Sequence, residues 1–579
     1  MAQAQSPSAA RATHLLSRLP AAMAHSTGAK AVAADQKRVA FVFPMASGHI
    51  NPSLPVARSL VESGHEVHYL CRAQMRAAIE DTGSVFHSDV DWETELYTGR
   101  EPDIFGAMES LRAEHGLDKG PIFLGSMKLK AVQMELMLPG ILRFLRQVTP
   151  SAIVFCPLLN VEAALAGRVL RIPSVALLTT AGLGSGVEFL RERFQKEGLV
   201  ESEVERELRS NGPHLAAVAR LNAQYGLNLG PLSFAWLAPL GRLGALSFAS
   251  ATLVTTSEDL QDRVAPELAA AYEADGVVAT FVGPLLDREG ARRASVHKYQ
   301  AEEAADGAAA AHLSGGGSAA DPIALLRAAR AAGRRAVLVS MGTVITGDSA
   351  HLGWEARAPG PDGQPHGLTG RELCRAAWGG AFDAFGAESA EEGALILVAL
   401  GPQQDALGDL APPPNAVCLP NLPQVDLLKL GVDIFLTHGG QNSFMESLAH
   451  GTPVVVCPGF ADQLVNARKA VDIGVGLKVD RPVPGEGEEA EAAAAYRASV
   501  CCALQAVLGE PAYAAAAARC ARQLQAAGGV PRAVEVVLEA ATAAVPGPQR
   551  AHDDLAAAEA KGLAQGVEVK EKLLARAGA

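Results

Sequence analysis

The residues best suited to chemistry lie in one short segment in the second half of the chain. The apolar run VDIFL leads into a His-Gly-Gly turn, His438 to Gly440, and a helical pattern follows with NSFMESLAH. Glycines at a strand-to-helix turn let the backbone approach a ligand, and the free amides at a helix start attract phosphate oxygens. Asn442 and Ser443 supply further donors. The pattern predicts an anion site, with a capped helix and a structural histidine as the alternative.

A second candidate histidine, His49, lies near the start of the chain in the run GHINP. It follows the apolar run RVAFVFPM and precedes the helical spacing of Leu54, Ala57 and Leu60, so it belongs to a strand-to-helix loop. Such a histidine is either a catalyst or a polar residue that only caps the fold. The choice depends on the ligand that the rest of the chain binds.

The elements that must position these loops alternate between strands and helices. In the first half, RVAFVFPM, HEVHYLCR, SAIVFC and PSVALLTT are short apolar runs separated by helical patterns. In the second half the alternation continues through AVLVSMGTV, ALILVALG, NAVCLP, VDIFL, PVVVCP and GVGLKVD. Short apolar runs closed by Gly, Pro or polar groups are typical of buried parallel strands. The sequence therefore predicts an α/β fold in two blocks, each a parallel sheet with helices on both faces.

Composition limits the classes of function. Of the 579 residues, 49 % are hydrophobic and 20 % charged, as in a globular protein of two or more domains. The net charge of −13 and the lack of a basic stripe argue against nucleic-acid binding, so small molecules are the expected partners. The eight cysteines have neither zinc nor disulfide spacing. They are expected to be reduced thiols in a cytoplasmic protein, with Cys501 and Cys502 in an Ala-rich helix.

Biased segments mark the expected boundaries. Residues 1–36 are basic and Ala-rich, with no acidic residue before Asp35, which is typical of a chloroplast or mitochondrial transit peptide or of a disordered extension. Both interpretations stay open. The remaining expected segments are a first domain at 37–290, an Ala/Gly-rich linker ending in a short helix at 291–334, a second domain at 335–525, and C-terminal helices with a tail at 526–579.

Three further runs carry local predictions. EARAPGPDGQPHG and RPVPGEGEEAEAAAA are rich in Pro, Gly or acids and predict solvated loops. The longest apolar stretch, residues 229–254, is broken by prolines, glycines and Arg242, whereas a membrane span needs about 20 consecutive apolar residues. We expect it to be buried or to line an acceptor site, and we expect no transmembrane segment.

The run from Leu422 to Asn466 resembles the donor signature of UDP-dependent glycosyltransferases, of the kind that modify macrolides and plant secondary metabolites. It contains, in order, LPQ, THGGQNS, HGTPVVVCP and DQ. PMASGHINP, FVGPLL, VSMGT and GGVPRAVEVVLE extend the resemblance over most of residues 38–540. The resemblance implies a GT-B fold, in which two Rossmann-like, doubly wound parallel-sheet domains face a cleft. The first would bind the acceptor and the second the nucleotide sugar.

The resemblance also implies a donor site in which groups of residues contact different parts of the nucleotide sugar. The groups are Thr343, His438, Gly440, Asn442 and Ser443 for the diphosphate, Asn421, Gln424 and Glu446 for the ribose and base, and Asp462 and Gln463 for the sugar. Gly48, in the loop that carries His49, and Gln441, in the loop that carries His438, complete the predicted donor-binding residues. No metal or cofactor is implied, because helix amides and a histidine would neutralise the leaving diphosphate. The UDP-sugar is a co-substrate.

In the family that the chain resembles, a histidine in the first loop is the general base, and GHINP matches that loop. A neutral imidazole with a pKa of about 6.5 suits this role, and a positioned base contributes about 10²–10⁴-fold. One inverting attack on the anomeric carbon is expected. Where relatives carry an aspartate that orients this histidine, the chain has Cys156. Either another acid substitutes, with Glu162, Asp89 and Asp91 as candidates, or His49 works without a carboxylate.

A second departure concerns the nucleotide base. Where plant members carry a tryptophan that stacks on uracil, this chain has Asn421. Loss of an aromatic platform costs about 1–3 kcal/mol. UDP stays the expected nucleotide, with dTDP or GDP as alternatives, and the Asp462-Gln463 pair favours a glucose-like sugar.

Three hypotheses remain open. The first is transfer of a hexose to a hydroxyl of a lipophilic small molecule, and the second makes the acceptor a sterol or another lipid. The third is a catalytically weakened relative that binds nucleotide sugars, motivated by Cys156. The acceptor pocket is expected from parts of residues 85–120 and 227–250, where no motif identifies the acceptor. A monomer is expected.

Overall fold

The computed structural model describes residues 36–103, 105–291, 321–357 and 367–543. The described residues from Lys37 onward belong to one compact unit. The predicted N-terminal extension, the body of the Ala/Gly-rich linker, the C-terminal tail and most of the EARAPGPDGQPHG loop lie outside the described residues.

A seven-stranded parallel sheet forms the first block, and the predicted apolar runs supply its strands. They are β1 (Arg38–Val42), β2 (Glu66–Cys71), β3 (Val85–Ser88), β4 (Ala152–Phe155), β5 (Ser174–Leu178), β6 (Ala251–Val254) and β7 (Ala279–Phe281). Their order is β3-β2-β1-β4-β5-β6-β7. In β1, Val39 and Phe41 join the core on one face, and Ala40 and Val42 join the core on the other. Burial on both faces explains why the run is continuously apolar.

The second block is a six-stranded parallel sheet built in the same way. Its strands are β8 (Ala336–Ser340), β9 (Leu395–Ala399), β10 (Ala416–Leu419), β11 (Ile434–Thr437), β12 (Val454–Val456) and β13 (Gly476–Lys478). Their order is β10-β9-β8-β11-β12-β13. The predicted α/β fold with two doubly wound parallel sheets is confirmed.

Helices cover both sheets. In the first block they are Ser47–Ile50, Ser53–Glu62, Arg76–Glu80, Asp89–Trp92, Thr94–Tyr97, Met108–Glu114, Ile122–Val148, Val161–Leu170, Ser185–Glu197, Glu201–Ser210, Gly212–Tyr225 and Pro266–Ala274. From the linker onward they are Pro322–Ala331, Gly370–Phe385, Gln424–Leu430, Gln441–Ala449, Asp462–Asp472, Glu489–Gly509, Pro511–Ala526 and Gly529–Thr542. The helix predicted at the end of the linker is present, capped by the side chain of Asp321.

Each sheet reverses its strand order beside a predicted reactive loop. In the first sheet β1 and β4 are neighbours, so the loops carrying His49 and Cys156 leave adjacent strands at the same edge. In the second sheet β8 and β11 are neighbours, which brings the loops of Thr343 and His438 together. Open parallel sheets bind ligands at this carboxyl edge, where the order reverses.

The last described helix, Gly529–Thr542, packs on the first sheet although it follows the second sheet in sequence. Its Ala533 and Val537 lie in the same core as Phe41 of β1. Ile50, the residue after His49, belongs to that core too. Residues from the C-terminal segment therefore complete the first block and support the His49 loop.

The structure corrects the predicted loop RPVPGEGEEAEAAAA. A helix begins at Glu489, inside this run, and continues to Gly509. Acidic residues suit the first turn of a helix, and the alanines that follow are strong helix formers. Cys501 and Cys502 lie in this helix as predicted, and all eight cysteines are free.

The same Glu489–Gly509 helix is, within the described ranges, the one helix long and apolar enough to cross a membrane. Tyr496, Val500 and Leu504 on one of its faces are buried in the core of the second block. One face of the helix therefore packs against the rest of the second block. The apolar stretch over residues 229–254 forms turns, a short 3-10 helix and β6, and much of it is buried, as predicted.

Charged side chains join the two blocks beside the cleft. Lys469 Nζ lies 2.5 Å from Asp262 Oδ1 and donates to Leu260 O at 2.8 Å. Both charged side chains are nearly buried. A more exposed pair lies close by, with Arg468 Nη2 at 3.2 Å from Glu188 Oε2.

We expect Lys469→Ala to lower the free energy of unfolding by about 3 kcal/mol, because Asp262 would remain as a buried charge without its partner. Urea denaturation of the whole chain measures this loss. Lys478→Ala is the matched control, since Lys478 pairs with Asp480 on the surface, and it should cost less than about 1 kcal/mol. Equal losses in the two variants would contradict the prediction.

Candidate functional site

His49 lies in the short helix Ser47–Ile50 that follows β1, and its ring contacts the ends of two neighbouring strands. Its Nδ1 lies 3.1 Å from Thr179 Oγ1, just after β5, and 3.4 Å from Cys156 Sγ, just after β4. Both partners are buried. Both contacts engage Nδ1, which leaves Nε2 as the nitrogen that can take a proton.

Burial lowers the pKa of His49 to about 4. It also raises the pKa of Cys156 to about 12, so that the thiol stays protonated. The imidazole is therefore neutral at physiological pH, as a general base must be. It is also a weaker base than a free histidine, because its buried cation would be poorly stabilised.

The three acids predicted as substitutes for the missing aspartate do not bond to His49. Glu162 accepts a hydrogen bond from Asn160 Nδ2 at 2.8 Å, and burial raises its pKa to about 7. Asp89 is paired with a buried arginine at 2.6 Å, and Asp91 is exposed. Among the residues that the structure describes, no carboxylate hydrogen bonds to His49. The geometry matches the other alternative, a histidine without a carboxylate partner.

His438 follows β11, and its ring fills a slot between two glycines. A Cβ on Gly342 would lie 2.6 Å from ring atoms Cε1 and Nε2, and a Cβ on Gly440 would lie 2.5 Å from Nε2. Gly342 also has a φ of 87°, which favours glycine. The slot fixes the imidazole at the start of the Gln441–Ala449 helix, where an anion would bind.

We expect Gly342→Ala to weaken UDP binding about tenfold, or about 1.4 kcal/mol, because the new methyl group displaces the ring of His438. Isothermal titration calorimetry with UDP measures the effect. Gly474→Ala is the matched control: its φ is 71°, but a Cβ there meets nothing within 4 Å. It carries the backbone strain without the clash and should leave UDP affinity unchanged. A similar loss of UDP affinity in both variants would show that the slot around His438 does not determine UDP binding.

Asn442 connects the predicted donor loop to the His49 loop. Its Nδ2 donates to Gly48 O at 3.0 Å. Gly48 directly precedes His49, so this contact links the carboxyl edges of the two sheets across the cleft. The structure thereby joins two predicted donor-site residues that are far apart in the sequence.

Three predicted donor residues form one hydrogen-bonded group beside this contact. Gln424 Nε2 donates to Glu446 Oε2 at 2.6 Å and to Ser443 Oγ at 3.1 Å. All three side chains are mostly buried. Their mutual bonds hold the carboxylate and the hydroxyl in one orientation, as a preorganised binding site requires.

A cavity of about 390 Å³ lies against this group, between the blocks. Its lining comes from Asn51, Pro52, Leu54, Thr255, residues 284–288, Gly290, Ala291, residues 421–426, Asn442, Met445 and Glu446. Predicted residues Asn421, Gln424, Asn442 and Glu446 therefore share one space. Thr343 is exposed in the loop after β8. Another cavity, of about 420 Å³, lies against Trp354 and contains none of the predicted site residues.

Asp462 and Gln463, predicted to bind the sugar, begin the Asp462–Asp472 helix. Asp462 Oδ2 accepts from Gln441 N at 2.7 Å, and Gln463 Oε1 accepts from Gly459 N at 2.9 Å. Burial raises the pKa of Asp462 to about 6. Among the described residues, none hydrogen bonds to the buried side-chain amide of Gln441.

Thr179 is the site residue that the sequence analysis did not single out. It is one of two threonines that close the run PSVALLTT. The sequence feature that could have identified Thr179 is a hydroxyl side chain at the end of a buried strand. Its importance depends on β5 lying next to β4, and that neighbourhood is a property of the folded sheet.

In the described parts of the chain, no three His, Cys, Asp or Glu side chains gather as a metal site requires. The expected metal-free reaction stays a prediction.

Comparisons with known proteins concentrate on the second block. Residues 408–518 match the family model described as UDP-glucoronosyl and UDP-glucosyl transferase. The chain is 34 % identical over 128 residues to an uncharacterized UDP-glucosyltransferase, YojK, of Bacillus subtilis (strain 168), covering 22 % of this chain and 29 % of the relative. It is 40 % identical over 74 residues to UDP-glucuronosyltransferase 3A1 of Mus musculus, covering 12 % and 14 %. The chain thus spans less than a third of the length of these curated relatives.

The likeness to solved structures extends over both blocks. CalG4, the calicheamicin glycosyltransferase, superposes with a TM-score of 0.55 at 18 % identity, covering 88 % of this chain and all of that one. This likeness shows the fold: the two facing α/β blocks have the arrangement of that enzyme.

Proposed function

We propose that this chain, whose residues 408–518 match the UDP-glycosyltransferase family model, transfers a hexosyl group from a UDP-sugar to a hydroxyl of a lipophilic small molecule. The second block would bind the nucleotide sugar and the first block the acceptor. A glucose-like sugar is proposed from Asp462 and Gln463.

The observation that carries this proposal is the contact between Asn442 and Gly48. It holds the loop that would bind the diphosphate against the loop that carries His49. A leaving group at the start of the Gln441–Ala449 helix and a proton acceptor at His49 would therefore lie on either side of one reacting carbon. That arrangement suits an in-line displacement.

The step we propose needs one base and one site for the leaving group. The acceptor hydroxyl gives its proton to Nε2 of His49 while its oxygen forms a bond to the anomeric carbon. The bond from that carbon to the diphosphate breaks, and UDP leaves with the electron pair. The His438 ring and the free amides of the helix start would stabilise the charge on the diphosphate. One displacement inverts the anomeric configuration.

The test is transfer from radiolabelled UDP-glucose to a panel of lipophilic phenols and sterols by the whole chain. The expected result is a labelled glycoside whose anomeric configuration, read by NMR, is opposite to that of the donor. A reaction without acceptor controls for hydrolysis. UDP binding with no transfer to any acceptor from UDP-glucose, UDP-glucuronic acid or dTDP-glucose would favour the binding-protein hypothesis instead.

A further inference from the structure

The environment of His49 limits the kind of hydroxyl it can activate. Its Nδ1 contacts two uncharged groups, the Thr179 hydroxyl and the Cys156 thiol. We propose that Thr179 positions His49 in place of a carboxylate, and that the acceptor hydroxyl is therefore a phenol rather than an aliphatic alcohol. This inference rests on the proposed function.

The hydroxyl of Thr179 can orient the ring as an aspartate would. For Nε2 to accept a proton, Nδ1 must carry one, and that N–H then donates to Thr179 Oγ1. The distance of 3.1 Å and the burial of Thr179 suit such a bond. Thr179 is thus a positioning residue, which acts on the substrate only through the ring of His49.

The same hydroxyl cannot stabilise the imidazolium as an aspartate would. A carboxylate adds a full negative charge beside the cation, whereas a hydroxyl and a protonated thiol add only dipoles. Charged groups lie behind Cys156: Glu162 on the Val161–Leu170 helix and Lys130 on the Ile122–Val148 helix act on that thiol. From the second block, Asn442 reaches the loop with an uncharged amide. The lowered pKa of His49 agrees with this environment.

A weak base favours an acidic acceptor. A phenol has a pKa of about 10, as in tyrosine, whereas an aliphatic alcohol is, like water, a far weaker acid. In the step, the phenol O–H bond breaks and its proton moves to Nε2 of His49. The oxygen keeps the electron pair and bonds to the anomeric carbon, and the diphosphate leaves with the pair of the broken bond. The imidazolium then returns its proton to water.

The first test compares two acceptors matched in size, 4-propylphenol and 4-propylcyclohexanol. We expect kcat/KM to be at least about 100-fold higher for the phenol, within the range that proton transfer to a base contributes. Sterols should behave as the cyclohexanol does. Equal transfer to the two matched acceptors would overturn the proposal.

The second test restores the carboxylate. Cys156→Asp should move the acid limb of the kcat/KM profile from about pH 4 towards about pH 6.5, because the base works only above its pKa. The same variant should reduce the ratio of kcat/KM for the phenol to kcat/KM for the cyclohexanol at least about tenfold. The proposed role of the missing charge would be contradicted if Cys156→Asp changed neither the pH profile of kcat/KM nor the preference for the phenol over the cyclohexanol.

The third test concerns Thr179 itself and does not depend on turnover. In ¹⁵N NMR spectra of the histidine side chains, with the His49 signals identified by their loss in His49→Gln, the unmodified protein should show the Nδ1–H form of a neutral ring. Thr179→Val should lose this preference, and Thr179→Ser should keep it. Unchanged spectra in Thr179→Val would refute the positioning role. If no acceptor is turned over, the proposed function fails, and the spectra still decide the role of Thr179.

Discussion

Replacing His49 with alanine should lower kcat for a phenolic acceptor by about 10²–10⁴-fold, the usual contribution of a positioned general base. The loss should appear in kcat and leave UDP affinity unchanged, because the predicted nucleotide contacts lie in the second block, apart from Gly48, which this change leaves in place. Burial lowers the pKa of His49 to about 4, so the ring is already neutral at pH 6. The deficit should therefore be the same at pH 6 and pH 8.

Steady-state kinetics with a fixed phenol, together with calorimetry of UDP binding, measure both parts of this prediction. His115→Ala is a suitable control, since His115 is an exposed histidine of the same block. The Tm of each variant shows whether a lower kcat comes from the missing general base or from an unfolded protein. A His49→Ala protein that keeps more than about a third of the original kcat would show that the proton leaves by another route.

His438→Ala should lower kcat by about 10²–10³-fold, the range found when one preorganised donor to a developing negative charge is removed. The ring lies between Gly342 and Gly440, at the helix start where the diphosphate would leave. Unlike the His49 variant, this one should also bind UDP more weakly. The decrease in kcat of this variant should be larger for donors that have poorer leaving groups.

The measurements are kcat with saturating acceptor and the Kd of UDP, determined side by side for the two histidine variants. His351→Ala, an exposed histidine of the second block, is the control. If His438→Ala kept normal UDP affinity and kcat, the diphosphate would have to bind elsewhere in the cleft. The two variants together thus separate the acceptor side from the donor side of one reaction.

The strands were predictable because a parallel strand buried on both faces must be apolar throughout. The donor loop was predictable for a related reason: strand, glycine turn and helix are consecutive, so His438, Asn442 and Glu446 are held by local structure. The start of the Glu489–Gly509 helix was missed, because an acidic, Ala-rich run has the composition of a solvated loop as well as that of a helix start.

The partners of His49 could not be predicted from a local pattern: the family resemblance pointed to Cys156, and Thr179 was missed. Cys156 and Thr179 reach the ring only because β1, β4 and β5 are adjacent, and a local pattern does not give the order of strands in a sheet. Of the three acids suggested as substitutes, Glu162 bonds to Asn160 and Asp89 pairs with Arg72, and Asp91 is exposed. Identifying a neutral partner therefore required the folded arrangement.

The packing of the Gly529–Thr542 helix on the first sheet has a consequence for biosynthesis. During translation, the hydrophobic face around Phe41 and Ile50 emerges long before the helix that covers it, since that helix is the last described element of the chain. The first block cannot be completed until the second has been synthesised. A chain that stops before Gly529 would expose this face and leave the His49 loop without its support, so the first block is not complete on its own.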